Sequence, residues 1–210
     1  RTSGTSKYLS GVTYRKGLFV TVGRGTIITS TDGTYWTGRD SGTSEYLRGV
    51  TYGNGLFVTV GWFGTILTSP DGTTWTERSS GTWGYLKGVT YGNGLFVTVG
   101  SLGTILTSTD GTTWIERDSG TSEYLRGVTY GNSTFVVVGD SGTILTSTDG
   151  TTWTKRISGT SKYLYGVTYG NGLFVVVGEN GTIITSPDEY FWTKRTSVTS
   201  VDLLGVTHSQ

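Results

Sequence analysis

Catalysis needs unlike polar groups brought to one place, and this chain offers few of them. It has no cysteine and one histidine. Thiol nucleophiles, disulfides and thiolate metal sites are therefore excluded. His208 has no companion ligand and supports neither a zinc site nor a histidine-based triad. One basic column, Arg39, Arg78, Arg117, Arg156 and Arg195, simply recurs along the chain. Asp140 and Glu179 are the only plausible acid pair, and as loop carboxylates they are expected to be solvated. No catalytic residue, metal ligand or cofactor is expected.

Recognition chemistry is better represented. Trp62, Phe63 and Trp83 lie in loops, where aromatic side chains stack on sugar rings or anchor a protein partner. The competing reading is a hydrophobic plug over the junction of two repeats. Arg48, Lys87 and Arg126 stand at matching positions in three consecutive repeats and could hold an anion. Glu45 and Glu123 are near enough in sequence to neutralise them. Arg24, Asp140, Tyr165, Glu179 and Asn180 complete the candidate ligand-binding residues.

These residues have to be positioned by the repeat that contains them. The stretch Gly103–Trp114, GTILTSTDGTTW, reads as a strand, an Asp-Gly turn and the entry to a return strand. It recurs at Gly25–Trp36, Gly64–Trp75, Gly142–Trp153 and Gly181–Trp192, with the tryptophans 39 residues apart. Gly-Val-Thr recurs at 11, 49, 88, 127, 166 and 205, so the first repeat is one residue short, at Arg24. The second repeat shows four runs: Tyr46–Tyr52, Leu56–Val60, Thr65–Ser69 and a fourth beginning at Trp75. Gly53-Asn54-Gly55 joins the first two as a type I′ hairpin. The middle runs are apolar on both faces, as expected of sheets covered on both sides by neighbours. A period of this length without a helical pattern predicts an all-β fold: a five-bladed β-propeller of 39-residue, four-stranded antiparallel blades. A β-solenoid would show shorter rungs and no Asn-Gly hairpin.

Ser69-Pro70-Asp71-Gly72-Thr73-Thr74-Trp75 resembles the Asp-box of β-propellers. With Gly64-Thr65-Ile66-Leu67 ahead of it, the unit is similar to YCF48-like and BNR-like propeller repeats. The resemblance covers essentially the whole chain, implies the fold and leaves function open, since such repeats serve glycosidases, sorting receptors and assembly factors alike. Sialidases of this kind need an arginine cluster, a tyrosine nucleophile and an acid, which near-identical repeats do not build. Asp32, Asp71, Asp110, Asp149 and Asp188 are read as turn-capping carboxylates and the five repeat tryptophans as core. The fifth copy, Asp188-Glu189-Tyr190-Phe191-Trp192, lacks the turn glycine, so a distorted hairpin is expected there.

The whole chain is read as one domain, with blades at 3–40, 41–79, 80–118, 119–157 and 158–196 and an extra copy of the innermost strand at 197–210. Tyr8–Tyr14 is expected to fill the blade-one slot, leaving 201–208 outside it, over an edge or against a second chain as a homo-oligomer contact. Strand alternation brings the second-to-third turns and the blade-to-blade connections to one end, where the repeats differ most. That variable face is the expected binding surface. A net charge of +1 gives no bulk attraction to nucleic acid, and no apolar run is long enough for membrane insertion. Arg1 and the absence of Met imply a processed or trimmed chain. The expected function is non-enzymatic binding: of carbohydrate first, of a protein partner next. A recently amplified or engineered repeat protein without a ligand of its own is the remaining alternative.

Overall fold

The structure, a computed structural model, describes residues 4–208. The first blade's expected start at 3 and the end of the C-terminal copy at 209–210 lie outside the described residues. Five antiparallel four-stranded sheets follow one another. Blade one comprises β1 (Leu9–Arg15), β2 (Leu18–Gly23), β3 (Thr26–Ser30) and β4 (Thr37–Arg39). Blade two comprises β5 (Leu47–Gly53), β6 (Leu56–Gly61), β7 (Ile66–Ser69) and β8 (Thr76–Arg78). Blade three has β9 (Leu86–Gly92), β10 (Leu95–Gly100), β11 (Ile105–Ser108) and β12 (Ile115–Arg117). Blade four has β13 (Leu125–Gly131), β14 (Thr134–Gly139), β15 (Ile144–Ser147) and β16 (Thr154–Arg156). Blade five has β17 (Leu164–Gly170), β18 (Leu173–Gly178), β19 (Ile183–Ser186) and β20 (Thr193–Lys194). The strands lie in chain order within each sheet, the meander of an all-β propeller. The outer strand starts just after the tryptophan instead of on it.

Local chemistry accounts for the turns. Asn54 and Gly55 take φ of 45° and 82°, the left-handed pair that a type I′ hairpin requires. At the opposite corner of the blade, the Asp110 carboxylate accepts from the amides of Thr112 and Thr113 at 2.8 and 2.9 Å, and from the Ser108 hydroxyl at 2.9 Å. Trp114 Nε1 donates to the Gly111 carbonyl at 3.2 Å, locking the indole onto the same turn. The fifth copy keeps this arrangement. Asp188 accepts from Tyr190 and Phe191 at 3.1 and 3.0 Å, with Glu189 at φ 59° in the glycine's place. The hairpin is therefore retained, contrary to the distortion expected from its sequence.

Blades stack through apolar faces. Val58, Val60 and Ile66 of blade two pack on Leu86, Phe96 and Leu106 of blade three, with Trp114 at the edge. Equivalent clusters join blades one and two, three and four, and four and five. Glycine permits the close approach of adjacent innermost strands: a Cβ on Gly53 would sit 2.0 Å from the Tyr91 ring.

No cluster joins blade five to blade one among the described residues. The innermost strands lie side by side from β1 through β17, but β17 makes no comparable contact with β1. Val12, in the position of the packed Val50, is 63 % exposed, and Tyr14 and Leu9 are exposed with it. β1 does fill the innermost position of blade one, paired with β2. The C-terminal copy lies beside β17. The backbone of Gly205 is 3.3 Å from the Cβ position of Gly166, and the His208 ring covers Gly170 as Tyr91 covers Gly53. Leu203 N–H donates to the Gly178 carbonyl at 3.0 Å, yet residues 201–208 join no sheet. The extra copy is thus no strand. It covers blade five's face, not an edge, in the place where a further blade would put its innermost strand.

Two expected outcomes follow from this packing. Asp110→Ala should cost about 1 kcal/mol, as other capping carboxylates do, lowering Tm by about 2–4 °C. Hydrogen bonds from the Thr112 hydroxyl and the Thr113 and Thr112 amides hold the Asp110 carboxyl well below the usual carboxylate range. A depressed carboxyl stabilises the fold above its unfolded pKa and loses that effect as pH falls, so the variant should also show a shallower decline of Tm below about pH 4. Deleting 201–210 should lower Tm and speed amide exchange in β17 and β18 while the other blades stay protected. Unchanged exchange there would show that the segment is not seated on blade five.

Candidate functional site

The innermost strands carry an irregularity that positions the basic residues. In β5 the register runs from Leu47 opposite Gly61 to Gly49 opposite Val60, so Arg48 is the extra residue of a β-bulge. The same shift places Lys87 between Leu86 and Gly88, Arg126 between Leu125 and Gly127, and Tyr165 between Leu164 and Gly166. A bulge takes its residue out of the ladder and re-aims the side chain. Five blades therefore present Ser10, Arg48, Lys87, Arg126 and Tyr165 as one row.

The cations in this row are not equivalent. Arg126 is held by the Asp140 carboxylate through Nε and through Nη2, the latter at 3.1 Å. Its guanidinium also lies over Tyr124, Tyr163 and Tyr165 at 5.1–5.5 Å. Arg48 lies over Tyr46 and Trp62 at 5.7 and 5.4 Å, and its buried Nε has no hydrogen-bond partner. Lys87 stands between them and has no carboxylate partner among the described residues. Burial, with repulsion from Arg48 and Arg126, pushes its ammonium below the ordinary lysine range. The neutralisation expected from Glu45 and Glu123 is absent. Among the described residues Asp140 supplies the only ion pair in the row, because the turn carrying it closes directly over the bulge.

The aromatic residues divide. Trp62 is half-buried, stacked between Tyr46 at 4.3 Å and Tyr85 at 5.1 Å. It belongs to the packing and does not project as expected. Phe63 meets the Tyr85 ring edge-on at 5.4 Å and is 47 % exposed, whereas Trp83 is 85 % exposed. Leu102, in the next turn, is 81 % exposed. Trp83, Leu102, Phe63 and Tyr85 line a cleft of about 500 Å³, with the hydroxyl-bearing residues Ser101 and Thr82 on its wall. The central residue of each turn is left-handed: Phe63 at φ 52°, Leu102 at 54°, Ser141 at 53° and Asn180 at 54°. Bulky apolar residues seldom adopt this conformation, and here it lifts them off the sheet.

The turns and the blade connections meet at one end. Gly64 N–H donates to the Gly84 carbonyl at 2.8 Å, and Gly103 to Glu123 at 2.9 Å. Asp140 and Glu179 are not brought together as an acid pair: Asp140 binds Arg126, and Glu179 lies 3.8 Å from Lys162 Nζ. Arg24 lies over Tyr46 at 5.0 Å, and Asn180 donates its amide to Asp202 at 3.0 Å. The Tyr165 hydroxyl also donates to Asp202, at 3.3 Å, so that carboxylate is partnered outside the core. The basic column, by contrast, is tied to its own blade through Nε, as in Arg117 donating to Thr107 Oγ1 at 2.9 Å. Sequence reasoning missed Leu102, Tyr46, Tyr85, Tyr124 and Tyr163. The tyrosines recur in every blade and read as structural, and an isolated Leu in a loop gives no signal.

No group of three or more histidines, cysteines or carboxylates converges among the described residues, and no described helix is long and apolar enough to cross a membrane. No protein-family model matches the chain, and neither does any curated protein. Solved structures do. YCF48 bound to a D1 peptide superposes with a TM-score of 0.72 at 19 % identity, over 92 % of this chain and 68 % of that one. YCF48 from Cyanidioschyzon merolae gives 0.68 at 16 % identity, over 96 % and 71 %. The computationally designed Ika8 protein gives 0.78 at 15 % identity, over 99 % and 67 %. At these identities the likeness is one of fold, and the chain is a five-bladed all-β propeller similar in architecture to YCF48 and Ika8.

Proposed function

We propose that this chain is a non-enzymatic binding module that captures an acidic, partly apolar segment of a protein partner on its variable face. The observation that carries the proposal is the unneutralised pair Arg48 and Lys87 beside an exposed apolar cleft. Trp62 and Tyr85 form a continuous stacked bridge between the two. A half-buried ammonium flanked by two guanidiniums is disfavoured until an anion arrives, so the row is poised to accept a carboxylate. Leu102, Phe63 and the Trp83 ring offer exposed apolar surface, suited to apolar side chains. A solved YCF48 neighbour carrying a peptide supports a protein partner over a glycan. Carbohydrate is the second reading, favoured by the exposed Trp83 indole beside the Ser101 and Thr82 hydroxyls. A ligand-free repeat scaffold is the third.

Fluorescence anisotropy with a library of labelled peptides separates these readings, with a glycan array as the second arm. Peptides combining Asp or Glu with Leu or Phe should bind, weaken as salt rises, and lose at least tenfold in affinity to Lys87→Glu. Affinity should also fall as pH rises through the depressed Lys87 pKa, because the ammonium is lost there. A Trp83→Ala, Leu102→Ala double variant should lose binding with Tm nearly unchanged, whereas Trp62→Ala should lower Tm. Binding confined to the glycan array would favour the second reading, and silence in both arms the ligand-free scaffold.

A further inference from the structure

The opposite end of the propeller carries a pocket where two departures from the repeat coincide. Aspartate turns one to four keep a glycine after the aspartate. At Gly72, Gly111 and Gly150 a Cβ would meet Leu18, Leu56 or Leu95 of the preceding blade at 2.7, 3.2 and 2.3 Å. In the fifth turn the glycine is replaced by Glu189, and in blade four the matching leucine is replaced by Thr134. The two substituted residues lie 55 positions apart and face each other, Thr134 Oγ1 standing 3.3 Å from Glu189 Oε1. An apolar leucine-over-glycine contact has become a polar one.

Stability does not explain the exchange. Glu189 is left-handed at φ 59° and only 8 % exposed, and its Oε2 is buried without a hydrogen-bond partner. Strain and an unsatisfied buried carboxylate oxygen are both unfavourable. The space opened is a pocket of about 220 Å³ between blades four and five, lined by Thr134, Asp149, Thr152, Arg156, Glu189 and Tyr190. Arg156 donates through Nε to Thr146 Oγ1 at 2.8 Å and lies over the Tyr190 ring at 4.4 Å. Its Nη groups make no hydrogen bond among the described residues.

We propose that this pocket binds one sugar residue. Two carboxylates disfavour an anion, and Arg156 together with the absence of a third acidic group disfavours a metal cation. Vicinal hydroxyls can donate to the Glu189 carboxylate and accept from the Arg156 guanidinium at the same time, and the C–H face of a pyranose suits an aromatic ring such as Tyr190. The pocket's room, equal to about seven waters at ~30 Å³ each, suits a single ring.

Saturation-transfer NMR and thermal shift on the full chain provide the test, using methyl glycosides of glucose, galactose, mannose and N-acetylglucosamine. At least one glycoside should give saturation transfer at millimolar concentration and raise Tm. The Glu189→Gly, Thr134→Leu double variant restores the repeat and should melt higher, yet bind that glycoside at least tenfold more weakly. The Trp83→Ala, Leu102→Ala variant should bind it unchanged, which separates this site from the variable face. The proposal is overturned if no glycoside responds up to tens of millimolar, if the repeat-restoring variant still binds, or if calcium chloride instead of a glycoside gives the Glu189-dependent shift.

Discussion

Face-to-face burial of the blades is the constraint from which the rest of the structure follows. The second and third strands of each blade are apolar on both sides, so one sheet alone would leave an entire face in water. Phe57, Phe96, Phe135 and Phe174 are almost wholly buried because each is sealed by the blade before it. Their burial fixes the spacing of the blades, and that spacing makes glycine necessary where the innermost strands converge. Side chains can differ freely only where the sheets stop: at the turns, at the connections and at the bulge.

That division explains why the polar groups that differ between blades gather at the two ends, while those in the middle, such as Thr59 bonded to the Gly49 carbonyl, repeat. At the variable end, the bulge lets a long cationic side chain leave the sheet without disturbing the ladder beyond it. The turn above then decides what each cation meets. In blade four it brings Asp140 onto Arg126, in blade two it brings Trp62 beside Arg48, and in blade three it leaves Lys87 without a counterion. One backbone geometry thus yields three electrostatic environments from the identity of a single turn residue. At the other end the aspartate turns are held by short, local hydrogen bonds, and the buried contact between turn and neighbouring blade changes where two blades change together.

Much of this was legible in the sequence, because period, turn residues and strand composition are local signals. The five sheets, the Asn-Gly hairpins and the capping aspartates all follow from them. The environment of Trp62 was not legible: its partners Tyr46 and Tyr85 recur in every blade, and repetition disguises a site component as scaffold. The Arg126–Asp140 pair joins a bulge to a turn, and the register that joins them is invisible until the strands are paired. Thr134 and Glu189 are each unremarkable alone, and only the stacking of blade five on blade four shows that they form a pair. The exposed face of blade one was equally hidden, since a 39-residue period is the same in an open arc and in a closed ring.

The uncovered Val12 and the C-terminal segment seated on β17 show what the repeat does not encode. Each blade specifies how to receive the next one, and nothing within its 39 residues counts how many have already been added. Blade number in such a protein is a property of gene length and curvature, not of blade chemistry. A duplication or loss of one repeat exchanges one apolar interface for a similar one, so an array can lengthen or shorten with little change to its interior.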